Sequence, residues 1–160
     1  MSEAAPSSAR FRAPIPRPAL MLGYGGLLPF AMGAAGVWFG GEYALAAMTG
    51  QAVYAAVILS FLGGVQWGFA LAALGQGAGP NWERLGWSVL PCLFGWAAFF
   101  LPPFERTTAL ILALLAVYVI DRNWALRFGR GPEWYVRLRR HLTAGAVLCL
   151  GLVMLRLGMG

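Results

Sequence analysis

The chain is built from long apolar blocks separated by short polar ones. Residues 18–40, 51–74, 85–101, 107–121 and 141–158 are almost wholly apolar, with charge confined to their ends. About 20 apolar residues suffice to span the hydrocarbon of a bilayer as a helix. Backbone polar groups in lipid must find partners inside the chain, so such spans are helical. The pattern predicts an all-α polytopic membrane protein, a single bundle of five transmembrane helices. The third and fourth blocks are separated by Pro102-Pro103, and the residue before a proline is driven out of helical geometry, so a tight surface turn is expected at 101–106. Pro29 and Pro91 fall inside blocks and are expected to kink them. Residues 1–17, rich in Pro, Ser, Ala and Arg, read as a disordered cytoplasmic tail.

Finer texture suggests packing. Ala52, Ala56, Ser60, Gly64, Gly68 and Ala72 recur every four residues along the second span. Small residues let helix backbones approach closely in lipid, so Ser60, Gly64 and Gly68 are expected at a helix–helix contact. The fourth span is aliphatic on all sides and is expected to face lipid. Residues 122–140 mix Arg with Leu, Phe, Trp and Tyr, and are expected to lie on the inner membrane surface.

Composition supports the membrane reading. Apolar residues make up 59% of the 160 and charged residues 11%, against roughly a quarter charged in soluble domains. Mean hydropathy is +0.66. The net charge is +6 and all twelve basic residues are Arg. They lie between apolar blocks instead of along a soluble face, which argues against nucleic acid as the partner. With the N-terminus in the cytoplasm, ten Arg fall inside and two, Arg106 and Arg156, outside, as the positive-inside rule requires. The expected location is a bacterial inner membrane. Arg137, Arg139 and Arg140 are expected to bind anionic headgroups such as cardiolipin.

Candidate chemistry is sparse. Cys92 and Cys149 sit singly within apolar blocks, and no Cys/His pattern suggests a metal. No P-loop, dinucleotide fingerprint, zincin or hydrolase motif is present, so no catalytic residue, cofactor or metal is assigned. Polar groups inside membranes mark pathways and binding sites. Alternating topology sends Gln66, Ser88, Asp121 and His141 to the inner half of the bundle. A cavity open to the cytoplasmic leaflet is expected there, lined by Gln66, Trp67, Ser88, Trp96 and Asp121, with Arg140 and His141 at its mouth.

Four blocks carry a family resemblance: LGYGGLLPF (22–30), YAAVILSFLGGVQWG (54–68), SVLPCLFGW (88–96), and DRNW with PEWYVRLRRHLT within 121–143. Together they resemble the domain-of-unknown-function family that includes the mitochondrial transmembrane protein 69 and many proteobacterial inner-membrane proteins. The resemblance implies a five-span inner-membrane protein and no established activity. Residues matching the shared blocks include Ser60, Gly63, Gly64, Trp67, Gly68, Pro91, Trp96, Asp121, Trp134, Tyr135, Arg139 and Leu142. Three functions are compatible with this reading. The first is an accessory or assembly subunit of a larger inner-membrane complex, such as a respiratory one. The second is a binding or carrier protein for a lipid or small amphiphile. The third is an intramembrane enzyme.

Overall fold

The computed structural model describes residues 14–75, 77, 79, 82–128 and 133–159, and all of its regular structure is helical. Six α-helices follow in order: α1 (Arg17–Gly25), α2 (Leu28–Phe39), α3 (Ala44–Gly75), α4 (Trp82–Ala97), α5 (Pro103–Phe128) and α6 (Glu133–Gly158). Single 3-10 turns precede α3 and follow α4. Four stretches are long and apolar enough to cross a membrane: Arg17–Phe39, Gly41–Gly75, Pro103–Ala125 and Trp134–Gly158. The third expected span, α4, is shorter at 16 residues. The expected tail lies mostly outside the described residues; its last residue, Arg17, opens α1.

Proline and glycine set the breaks. The first expected span is two helices, because Pro29 occupies the first turn of α2 and the chain bends at Gly26–Leu27. The carbonyls near this bend are satisfied from α3: the Tyr54 hydroxyl donates to Gly26 O at 2.9 Å, and Gln51 Nε2 donates to Phe30 O at 2.7 Å. Side chains from a neighbouring helix thus do what water does elsewhere. Gly41, at φ +51°, occupies a backbone region open to glycine, and turns the chain into α3. The expected turn at 101–106 is tighter than anticipated. Leu101 is extended, at φ −95° and ψ 150°, and α5 begins at Pro103, where a proline lacks no hydrogen bond. Pro91 is buried within α4, which continues through it.

Successive passes alternate in direction. Gly33 faces Gln51, Gly63 faces Ser88, and Gly95 faces Ala56. Asp121 pairs with Arg139, and Thr108 reaches Met154. Helix α6 runs parallel to α1–α2, since Tyr24 meets His141 and Trp38 donates to Leu152 O. The core joins Phe30, Leu59, Leu62, Leu110, Leu114 and Leu150 from α2, α3, α5 and α6.

Three expectations need correction. The small-residue ridge of α3 is not the internal contact: Ser60, Gly64 and Gly68 are exposed, and a side chain added at Gly64 or Gly68 would meet nothing within 4 Å. Close approach is made one position away. A methyl at Gly63 would overlap the Ser88 carbonyl oxygen, and one at Gly33 would lie 2.6 Å from Gln51 Cβ. Helix α5 does not simply face lipid, because Thr107, Leu110, Leu114, Val117 and Asp121 form a buried stripe down it. Nor does 122–140 lie as a surface loop. Helix α5 continues to Phe128 and α6 starts at Glu133, leaving only 129–132 of that stretch outside the described residues.

Candidate functional site

Polar side chains gather at the end of the bundle where α3, α4, α5 and α6 meet. Gln66 comes from the buried face of α3, Arg84 from the first turn of α4, Asp121 from the core stripe of α5 and Arg139 from α6. All four are buried, at 3%, 8%, 5% and 6% exposure, a condition that charged groups tolerate only when paired. Gln66 is the hub. Its amide nitrogen donates to Asp121 Oδ1 at 2.6 Å, while its carbonyl oxygen accepts from Arg84 Nε at 3.1 Å. A glutamine can do both at once, so it joins a carboxylate to a guanidinium. Asp121 Oδ2 lies 3.5 Å from an Arg139 nitrogen. The Arg84 guanidinium also stacks on Phe69 and Trp124, 5.3 and 5.5 Å from the ring centroids, placements that cation–π attraction favours. Phe69 in turn meets Tyr135 edge to face at 6.2 Å.

Arg139 is not consumed by this pairing. Its Nε has no hydrogen-bond partner among the described residues, while the terminal nitrogen 3.5 Å from Asp121 Oδ2 makes the ion pair without hydrogen-bond geometry. Beside it, the Tyr135 hydroxyl and Thr143 Oγ1 are also buried without a partner. Tyr135, Arg139 and Thr143 are four residues apart and so share one side of α6. That side forms the wall of a cavity of about 340 Å³. The rest of the lining is largely apolar and comes from α1, the bend after it, α2, α3, α5 and α6 itself, including Leu22, Leu27, Phe30, Phe61, Leu114 and Leu142. Helix α1 covers this space with no buried residue of its own. Near it Gly23 lies against Leu142, and Tyr24 shares a 3.2 Å hydrogen bond with His141 Nδ1.

The expected site is therefore brought together in part. Gln66 and Asp121 are in direct contact. Ser88 is buried nearby on α4, but its hydroxyl donates to Leu85 O at 2.6 Å. Trp67 and Trp96 are exposed, the latter packed on Phe100. Arg140 and His141 are exposed on α6. None of these seven residues lines the cavity, which lies on the other side of Arg139. Arg139, expected at the lipid headgroups with Arg137 and Arg140, is the one of the three that turns inward. The missed residues, Tyr135 and Thr143, had a signal: with Arg139 they form a polar i, i+4, i+8 row along one side of α6.

Alternating apolar helices with a paired polar cluster buried among them define a multi-pass membrane protein. Residues 15–155 match the family described as a protein of unknown function, DUF3429, and the chain belongs to it. It is similar to "Transmembrane protein 69" of Xenopus tropicalis, 36% identical over 135 residues, covering 84% of this chain and 53% of the frog protein. It is also similar to the mouse (Mus musculus) protein of the same name, 31% identical over 125 residues, covering 78% of this chain and 50% of that one. The chain thus spans about half the length of the curated relatives it matches. No solved structure matches it.

Proposed function

We propose that this chain is a five-span protein of a bacterial inner membrane that binds a lipid or small amphiphile in the cavity beneath α1. The observation that carries the reading is the cavity itself: apolar on every side except for the Tyr135–Arg139–Thr143 row, whose polar atoms are buried without partners. A buried polar group without a partner costs about 1–3 kcal/mol, and three together on one wall are accounted for if a ligand completes them. In this reading α4, extended by its 3-10 turn to Phe100, is the third span, and the polar cluster sits at the cytoplasmic end, where the Arg count puts it. Native mass spectrometry of the protein in mild detergent tests it. A retained small molecule is expected in the parent chain and is lost when Leu142→Trp fills the cavity. Equal ligand content in both proteins refutes the reading.

A second reading, an accessory or assembly subunit of a larger membrane complex, is favoured by a different observation. The Ser60, Gly64, Gly68 and Ala72 face of α3 is exposed, and such a small-residue face suits close docking of another transmembrane helix. The same spectra would then report a stoichiometric protein partner, and Gly64→Leu would release it.

A further inference from the structure

We propose that the occupant of the cavity is a single-chain amphiphile with an anionic head, a carboxylate or a monophosphate, held by Arg139 with Tyr135 and Thr143. The inference rests on the cavity reading above and adds the sign of the head and the number of chains.

The sign follows from what the wall offers. Its one charged residue is Arg139, flanked one turn away on either side by a residue that carries a hydroxyl, Tyr135 and Thr143. Asp121, the acid in contact with Arg139, does not line the cavity; it lies behind the arginine, tied to Gln66 at 2.6 Å. A cationic head would therefore meet a like charge with no acid on its own side. A neutral head would leave the unpartnered Nε–H of Arg139 poorly matched. Arginine has five N–H donors in a planar fork, and the contact of one terminal nitrogen with Asp121 leaves Nε without a partner. A carboxylate or phosphate matches that fork, and hydroxyls from Tyr135 and Thr143 can donate to the same anion.

The chain number follows from size and shape. About 340 Å³ lies at the lower end of the roughly 300–1,000 Å³ typical of small-molecule sites. Along α6 the wall runs from Trp134 to Ala146, twelve residues, or about 18 Å of helix rise. A space this long and this small suits one chain better than two. Its apolar floor of Phe30, Ile58, Leu62 and Leu114 takes the tail, while Arg139, one turn from Tyr135, takes the head.

The test uses the full chain in a non-ionic detergent and four probes with the same tail: dodecanoate, dodecyl phosphate, dodecanol and dodecyltrimethylammonium. Inorganic phosphate and acetate serve as free-anion arms. Binding is read by quenching of tryptophan fluorescence with a brominated analogue, displaced by each probe. Dodecanoate and dodecyl phosphate are expected to displace it at least about tenfold more tightly than dodecanol. The ammonium probe and the free anions are expected to do so weakly or not at all. Thr143→Val and Tyr135→Phe, which remove a hydroxyl and no charge, should each weaken binding of the anionic probes several-fold. Arg139→Gln should abolish the preference. Should that variant fail to fold, the two hydroxyl variants decide alone. If all four tails bind equally and Leu142→Trp blocks them, the cavity reading stands and the anionic assignment is overturned. If no tail binds, both are overturned. If the free anions bind as tightly as the amphiphiles, the site takes a small anion and the chain assignment falls.

Discussion

Gly63→Ala, a change of one methyl group, tests how this bundle is held together. Gly63 is buried on α3, and a Cβ there would overlap the Ser88 carbonyl oxygen while lying 3.3 Å from its carbonyl carbon and 3.7 Å from Pro91 Cδ. The obstacle is backbone, so no rotamer change relieves it. Helix α4 is also braced elsewhere along this contact, where a Cβ at Gly95 would lie 3.2 Å from Ala56. It must therefore tilt, and tilting pulls on Arg84, one turn from Ser88 and bonded to Gln66 at 3.1 Å. Overpacking of this kind costs about 1–3 kcal/mol. Within a helix, alanine would otherwise be preferred to glycine by about 1 kcal/mol. Gly64→Ala is the internal control, because a methyl there meets nothing within 4 Å and keeps the propensity benefit alone. The propensity gain is common to both variants, so they should differ by the overpacking cost alone, roughly 2 kcal/mol, which at ~2–4 °C per kcal/mol separates their midpoints by about 5 °C. Thermal unfolding followed by tryptophan fluorescence in detergent measures this. Equal midpoints, or a Gly63→Ala protein more stable than Gly64→Ala, would refute the α3–α4 contact.

Other perturbations probe the cluster, the outer face and the topology. Asp121→Asn should destabilise by about 3–5 kcal/mol, since it removes the charge facing buried Arg139; an unchanged unfolding midpoint would show that the pair holds nothing. Gly64→Leu should leave the midpoint of the isolated chain within about 0.5 kcal/mol of the parent, as surface changes usually do, and a larger loss would place that face in an intramolecular contact. Gln at both Arg137 and Arg140, the exposed pair of the α6 basic cluster, should lower the cardiolipin that co-purifies, at ~1 kcal/mol per arginine; undiminished cardiolipin rules the pair out. Alkaline phosphatase fused after Gly160 should be active and fused near Gly129 inactive, and the reverse pattern would invert the assignment.

What was legible depended on how much contrast each helix carried. Long apolar blocks announce helices: four of the five expected spans coincide with helical stretches long and apolar enough to cross a membrane, and the third falls on the shorter α4. Which face packs is harder where all faces are apolar. On α3 the small residues recur every four positions, but four residues advance about 400°, so the row drifts ~40° per step against 3.6 residues per turn. Ala52 still faces the core; Gly64 and Gly68 have wound to the outside. The buried set, Gln51, Ala52, Ala55, Leu59, Leu62, Gly63, Gln66 and Ala70, returns every three or four residues, singly or as an adjacent pair, and tracks the true period. On α5 the aliphatic run conceals its face, yet the polar residues at its two ends, Thr107 and Asp121, fall on the stripe that Leu110, Leu114 and Val117 complete. Polar residues thus marked the packing faces better than hydrophobic ones.

The arginines were hardest to read, because one residue type does two jobs. Ten-to-two asymmetry treats every Arg as a flanking charge, and among the described residues two of the ten, Arg84 and Arg139, are buried. Removing both from the count leaves eight against two, so the topological argument survives. Their burial still has a sequence correlate. Each lies on the packing side of a helix whose next turn enters the core, Arg84 four residues before Ser88 and Arg139 four before Thr143. Arg137 and Arg140, on either side of Arg139, lie off that line and are exposed. An arginine on the apolar stripe of a membrane helix needs an acid or a ligand, whereas one off the stripe can snorkel to the headgroups. Here one acid, Asp121, is in contact with Arg139 and shared with Gln66. The Nε donor that Arg139 retains then calls for an anion on the side that Asp121 does not occupy.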